Sequence, residues 1–247
     1  MTMNDSLTIN TRKTSLLINL VLSVIFFSTF TSTAIANDAV TAEVSSPNKW
    51  TPSKQKDGIS SYTRAILDSK YKAVRGETIL PVSTARLFAA INDAPACPEW
   101  ADTCKESYIH QEISKHEFFI YTLNDLPWPV KDRDVLAHVK WTQDSEGAIV
   151  MHSKAVKNKV AKIKGTVRIE LATAQWRFMP LDDGRTAASF EIHMDPNGNI
   201  PSWLLNRLIL NSPFSTFDNL AKQAAKEKYA DATLPFSTQI SLSPDSI

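Results

Sequence analysis

The stretch DPNGNIPSWLLNRLILNSPFSTFDNLAKQAAKEKYA, Asp195 to Ala230, decides the fold. Pro201 suits the first turn of a helix, because the N–H it lacks is one that a first turn leaves unpaired anyway. Beyond it, Leu205, Ile209, Phe217, Leu220 and Ala224 recur at helical spacing and share one face. Pro213 falls inside this long helix and should bend it, since its ring removes one backbone donor. A long helix with one apolar face needs a broad apolar surface to lie against.

The preceding sequence supplies that surface as strands. Alternating β-branched and aromatic residues mark segments at about 106–114, 116–123, 133–143, 148–157, 166–179 and 185–194. Asn124-Asp125, Ser145-Glu146-Gly147 and Asp182-Asp183-Gly184 separate them, all residues that tolerate tight turns. Connections this short imply an antiparallel meander. Upstream, DGISSYTRAI and YKAVRGETIL read as two more antiparallel neighbours. Between the two groups, Ser83 can cap a helix carrying Leu87, Phe88 and Ile91, and Pro98 can open a short one over Glu99 to Thr103. The order predicts an α+β fold: one curved antiparallel sheet gripping a long C-terminal helix.

Residues 1–36 have the pattern of a secretory signal peptide: Arg12 and Lys13, an apolar run from Leu16 to Phe30, then Ala34-Ile35-Ala36. A retained membrane anchor is the alternative. Residues 37–55 read as a leader in which only Trp50 can anchor to a core, 56–232 as the domain, and 233–247 as a loose tail. The formal net charge of +1 falls to neutral without residues 1–36, which argues against a nucleic-acid partner. An apolar content of 43 % and six Trp argue against disorder.

Cys97 and Cys104 are the two cysteines. For a chain bound outside the cytoplasm a disulfide is the economical reading, with two buried thiols as the alternative. In one straight helix their Cα atoms would stand about 10.5 Å apart, so a bridge requires a bend. No His lies in that cluster, which argues against a metal site.

Catalytic signatures are sparse: there is no G-x-S-x-G, no H-E-x-x-H and, with six Gly, no phosphate-cradling loop. His116 and Glu117 are adjacent on a strand and point to opposite faces. Glu191 and His193 share a face and could do acid/base work, although an exposed polar strand face gives the same pattern. Arg133, Val135, Ala137, Val139 and Trp141 share one face of their strand; Asp134, Leu136 and His138 share the other. Phe119, Tyr121 and Leu123 group together, as do Trp176 and Phe178. Such aromatic rows fit a packed core or the lining of a cavity.

Two blocks carry a family resemblance: P-W-P…R-D from Pro127 to Asp134, and D-P-x-G-x-I-P-x-W-L-x-N from Asp195 to Asn206. With them, the chain from about Trp50 to Tyr229 resembles the START domains, which transfer lipids, and especially their secreted bacterial members. The resemblance implies a helix-grip fold with a lipid tunnel under a mobile C-terminal helix. It places Trp100, Phe119, Tyr121, Arg133, Val135, Val139, Trp141, Trp176 and Phe178 at the lipid, with Trp203, Leu205 and Ile209 in the lid. Phosphatidylcholine-binding members carry an Arg and an Asp around the Trp that matches Trp100; here those positions are Cys97 and Ala101. Another member's cavity Arg falls near Val139, and Glu117 matches its cavity acid. These departures imply a less polar ligand: a simple lipid, a sterol-like compound or a fatty acid.

The expectation is a monomeric, non-enzymatic lipid carrier of the periplasm or exterior, with no cofactor and a transient membrane contact. A helix-grip enzyme or sensor using Glu191, His193 or Glu117 is the alternative, and a cavity-free interaction module a third reading. Arg133 should sit at the tunnel edge and needs an acidic partner, because an isolated buried cation is costly. Asp134 should hold its loop through backbone hydrogen bonds.

Overall fold

The computed structural model describes residues 49–157, 159–200 and 202–236, with backbone alone at 202–209 apart from Leu204. The proposed signal peptide and most of the proposed leader lie outside the described residues, as does the tail beyond Phe236.

Ten strands form one sheet: β1 (Thr51–Lys56), β2 (Ile59–Arg64), β3 (Ala73–Leu80), β4 (Cys104–Ser114), β5 (Glu117–Asn124), β6 (Arg133–Gln143), β7 (Ile149–Ala155), β8 (Val167–Arg168), β9 (Leu171–Pro180) and β10 (Thr186–Asp195). Their order is β1-β2-β3-β10-β9-β7-β6-β5-β4, and β8 pairs with β6 off that path. Among the described residues two α-helices accompany it, α1 (Thr84–Asn92), whose Ser83 caps the N-terminus as expected, and α2 (Ser202–Ala224), with Pro213 inside.

The strand predictions hold with four corrections. The segment at 166–179 is two strands, and β8 runs parallel to β6, so the sheet is not purely a meander. The supposed leader contributes β1, which pairs with β2, and Trp50 stacks under the Arg64 guanidinium at 4.5 Å. The short helix is a 3-10 segment over Ala94–Glu99 that contains Pro98. The tail's first residues, Leu234 and Phe236, pack on the core rather than hanging loose.

Strand register sorts the side chains into two faces. One cross-strand row is Trp141, Met151, Trp176, Phe190 and Gly76, running over five neighbouring strands. Phe217 of α2 meets Trp176 edge-on at 5.7 Å, and Phe88 of α1 meets Trp141 at 4.8 Å. Both helices therefore sit on this inner face. Gly76 makes the seat possible, because a Cβ there would stand 2.6 Å from Pro213 Cβ and 2.7 Å from Phe217 Cε2. Asn92 Oδ1 accepts the Trp141 indole N–H at 2.9 Å, which satisfies that buried donor of the aromatic floor.

Candidate functional site

Moving along the strands from that floor, the inner side chains shrink. The next row is Phe118, Val139, Ser153, Ala174, Ile192 and Val74, and the row after it contains Ile120, Ala137 and Ala155. Large aromatics fill the space under the C-terminal half of α2. Small residues in the middle of the following rows cannot reach as far from the sheet. Ile120, Ala174 and Ile192 are only partly buried, in contrast to the floor. The chain enters α2 from the end of β10 that adjoins these small residues and reaches the aromatic floor at Pro213 and Phe217. Among the described residues the inner face thus steps down from a packed aromatic floor to smaller, partly buried apolar side chains, a surface whose chemistry suits an apolar ligand.

Arg133 stands at the far end of this inner face and is only 3 % exposed. Its expected acidic partner is absent among the described residues; backbone carbonyls take its place. Nε donates to Pro196 O at 3.2 Å, Nη2 to Asn197 O at 2.9 Å, and Nη1 to Lys131 O. Carbonyl dipoles suffice because the turn at Pro196 to Asn197 aims several of them at one fork of donors. Burial pushes the guanidinium pKa down. The two sequence blocks thus touch: the cation of the first holds the loop of the second, which leads into α2.

Asp134 points to the opposite face, as strand parity predicts, but it is no mere loop tether. Arg168 forks onto it, Nε to Oδ1 at 2.9 Å and Nη2 to Oδ2 at 2.7 Å, and the Tyr121 hydroxyl donates to Oδ2 at 3.1 Å. Burial would raise the carboxyl pKa, but the Arg168 and Tyr121 hydrogen bonds outweigh it and hold the value below 3.8. Burial, reinforced by that hydrogen bond, raises the Tyr121 phenol.

Phe119 and Tyr121 require correction as lining residues. They pack with Leu136 in a second cluster on the outer face, covered by Val156 and Val160. Strand β5 is apolar on both faces, and its inward residues are Phe118 and Ile120. Glu117 is also outward, ion-paired with Lys140 at 3.2 Å and hydrogen-bonded to His138 at 2.9 Å rather than in the interior. Of the other expected lining residues, Val139, Trp141, Trp176 and Phe178 lie together in the inner cluster. Trp141 and Phe178 are fully buried and form the floor itself. Val135 is inward and half-buried, next to Arg133. Trp100 packs against the inner cluster, and its indole N–H is buried without a partner. Trp203, Leu205 and Ile209 fall on α2, but their side chains lie outside the described residues. Glu191 and His193 face outward: Glu191 meets Arg64 at 3.9 Å and His193 meets the Ser69 hydroxyl at 3.0 Å.

Cys97 and Cys104 form a disulfide, their Cα atoms 5.9 Å apart. The bend this requires comes where the 3-10 segment ends and the chain turns at Trp100 into β4. Sequence reasoning missed Gly76 and Arg168. A lone Gly inside a strand pattern was the available mark of a close approach; nothing local marked Arg168 as the partner of Asp134.

A curved antiparallel sheet closed by a C-terminal helix over an apolar interior is the helix-grip class, and the comparisons identify the family within it. The START domain model matches residues 33–223, and the chain belongs to that family. It is 30 % identical over 177 residues to an uncharacterized protein of Pseudomonas aeruginosa, covering 72 % of this chain and 87 % of that one. Among solved structures, a STAR-related lipid transfer protein fragment from Xanthomonas axonopodis aligns with a TM-score of 0.66 at 31 % identity, covering 72 % of this chain and 99 % of that one. Human STARD10 aligns with a TM-score of 0.64 at 18 % identity, covering 72 % and 74 % of the two chains, which supports the fold alone.

Proposed function

We propose that the protein binds one lipid or other apolar molecule between the sheet and the N-terminal half of α2 and carries it between membranes unchanged. The observation that carries this reading is the decline in inner side-chain size from the Trp141–Trp176 row to the row holding Ser153 and Ala174. Each buried methylene contributes about 0.8 kcal/mol, so roughly a dozen cover the ~8 kcal/mol of micromolar binding. Trp100 supports a weakly polar ligand, because its unpartnered N–H suits an ester carbonyl or hydroxyl, and its neighbours at 97 and 101 are a disulfide sulfur and Ala101. Trp128 supports a membrane contact. It is 91 % exposed on the loop between β5 and β6, flanked by Pro127 and Pro129, and Trp favours the membrane–water interface. The disulfide and the pattern of residues 1–36 support a periplasmic or secreted location. We take the carrier to be monomeric.

Native mass spectrometry of the secreted protein, before and after lipid extraction, tests the proposal. The expected result is a monomer carrying one lipid, exchanged for labelled fatty acid or sterol added in vesicles, with Trp128→Ala slowing the exchange. A protein that neither carries nor acquires any lipid would sink it.

A further inference from the structure

The sheet face turned away from α2 bears a groove of about 460 Å³. Register lays two rows of outward side chains side by side across β6, β7, β9 and β10. The first row is His138, Lys154, Thr173 and His193; the second is Lys140, His152, Gln175 and Glu191. All eight line the groove, and Arg64 of β2 closes one side. Directly opposed residues on a sheet stand about 5 Å apart, so the two rows form one continuous patch.

The charges are unevenly matched. Glu191 faces Arg64 at 3.9 Å, and Glu117, just beyond the groove, faces His138 at 2.9 Å and Lys140 at 3.2 Å. Lys154 and His152 have no carboxylate partner among the described residues. Sheets gain stability from opposite charges placed across from each other. Lys154 instead lies between His138 and Thr173, neither of them acidic, so an anion above β7 would supply the missing partner.

We propose that this groove is a second binding site, taking a phosphate group, with Lys154 as the central cation and His152, Thr173 and His193 as donors around it. These four groups come from three adjacent strands and project from one face of the sheet. A phosphate offers more acceptor oxygens and more charge than a carboxylate to donors spread in this way, and charge-assisted bonds give the contact strength. The side chains invoked belong to the outward rows and not to the apolar floor, so the proposal stands independently of lipid binding. The phosphate can belong to a soluble monoester or to an anionic lipid head group.

The test titrates the secreted protein with inorganic phosphate and with glycerol 3-phosphate by NMR and calorimetry, and measures cosedimentation with phosphatidylglycerol vesicles. Lys154→Gln and the double variant Lys154→Gln/His193→Gln are compared with the parent, and unchanged thermal melts verify their folds. Saturable binding of at least one probe, weakened at least tenfold in the double variant, is the expected result. Binding of the soluble probes assigns a free phosphate ligand; a variant-sensitive response to vesicles alone assigns a head group. The proposal is overturned if no probe binds saturably, or if the folded double variant binds as tightly as the parent.

Discussion

Replacing Gly76 by Ala tests how α2 is seated. The new Cβ would lie 2.6 Å from Pro213 Cβ and 2.7 Å from Phe217 Cε2, whereas carbon atoms prefer ~3.5–4.0 Å. Two overlaps of roughly 1 Å must therefore be absorbed. Pro213 is a rigid ring within the helix, and Phe217 is fully buried against Trp176, so neither has space to retreat. Overpacking of this kind costs about 1–3 kcal/mol, and the smaller backbone entropy of Ala returns about 0.5–1 of it. A net loss of about 1–2 kcal/mol is expected, measured by urea unfolding followed through Trp fluorescence. Trimming the obstacle with Phe217→Leu should shrink the penalty of Gly76→Ala by about 1 kcal/mol in a double-mutant cycle. Hydrogen exchange should also quicken around residues 213–224 in the single variant. If Gly76→Ala proves neutral in both backgrounds, α2 does not rest on β3, and the argument for a packed floor beside an open interior fails.

Other substitutions probe the polar supports. Asp134→Asn should cost about 3–5 kcal/mol, because it leaves Arg168 charged and buried, while replacing Asp134 and Arg168 together with apolar residues should cost far less; chemical denaturation distinguishes the two. The carboxyl pKa of Asp134 lies below its unfolded value of 3.8, so its stabilising effect is complete above that pH and is lost as pH falls through the folded value. Acid unfolding should accordingly start below about pH 4, and the Asp134→Asn variant should show a shallower pH dependence. Removing the short Cys97–Cys104 loop closure with a double Ala variant should cost about 2–3 kcal/mol, and reductant should produce the same loss in the parent. Arg133→Met should release the loop at 196–197, quickening both hydrogen exchange at the start of α2 and lipid loss to acceptor vesicles.

The sequence was most readable where one periodicity had one explanation. Helix α2 combines Pro201, a helical apolar spacing and a length that no strand could match, and turn residues mark the connections β5–β6, β6–β7 and β9–β10. Legibility failed on β5, where Phe118, Phe119, Ile120 and Tyr121 are consecutive. Parity shows that alternate residues diverge, but not which pair faces α2 when both faces are apolar. The outer pair became identifiable only through its cover, the loop carrying Val156 and Val160. Trp50 shows a different limit: its anchoring role was readable, yet the strand beside it, TPSKQK, is fully exposed and has no apolar alternation to announce it. An edge strand held by backbone pairing and by polar contacts such as Lys54 with Asn211 leaves little trace in apolar patterning.

Arg133 and Asp134 acquire a joint meaning from the pleat of β6. Successive strand residues face opposite sides, so Arg133 and Asp134 leave the sheet in opposite directions, yet both act on the loop entering α2. Arg133 grips the carbonyls of Pro196 and Asn197 from the inner side. Asp134 acts from the outer side through Arg168, whose own carbonyl accepts the Asn197 side-chain amide at 3.3 Å. Asn197 takes a positive φ of 56° and Gly198 one of 66°, which turns the chain tightly enough to present these groups. The loop is thus held from both faces, and the later part of α2 is held at Gly76. Between the two anchors lies the part of α2 from Ser202 to Ser212, opposite the small residues of the inner face. On the proposed function, opening for a lipid requires this part alone to lift, with its ends fixed. Arg133→Met frees one end and Gly76→Ala disturbs the other, so both should speed lipid exchange, whereas Asp134→Asn should destabilise the whole domain before it changes exchange selectively.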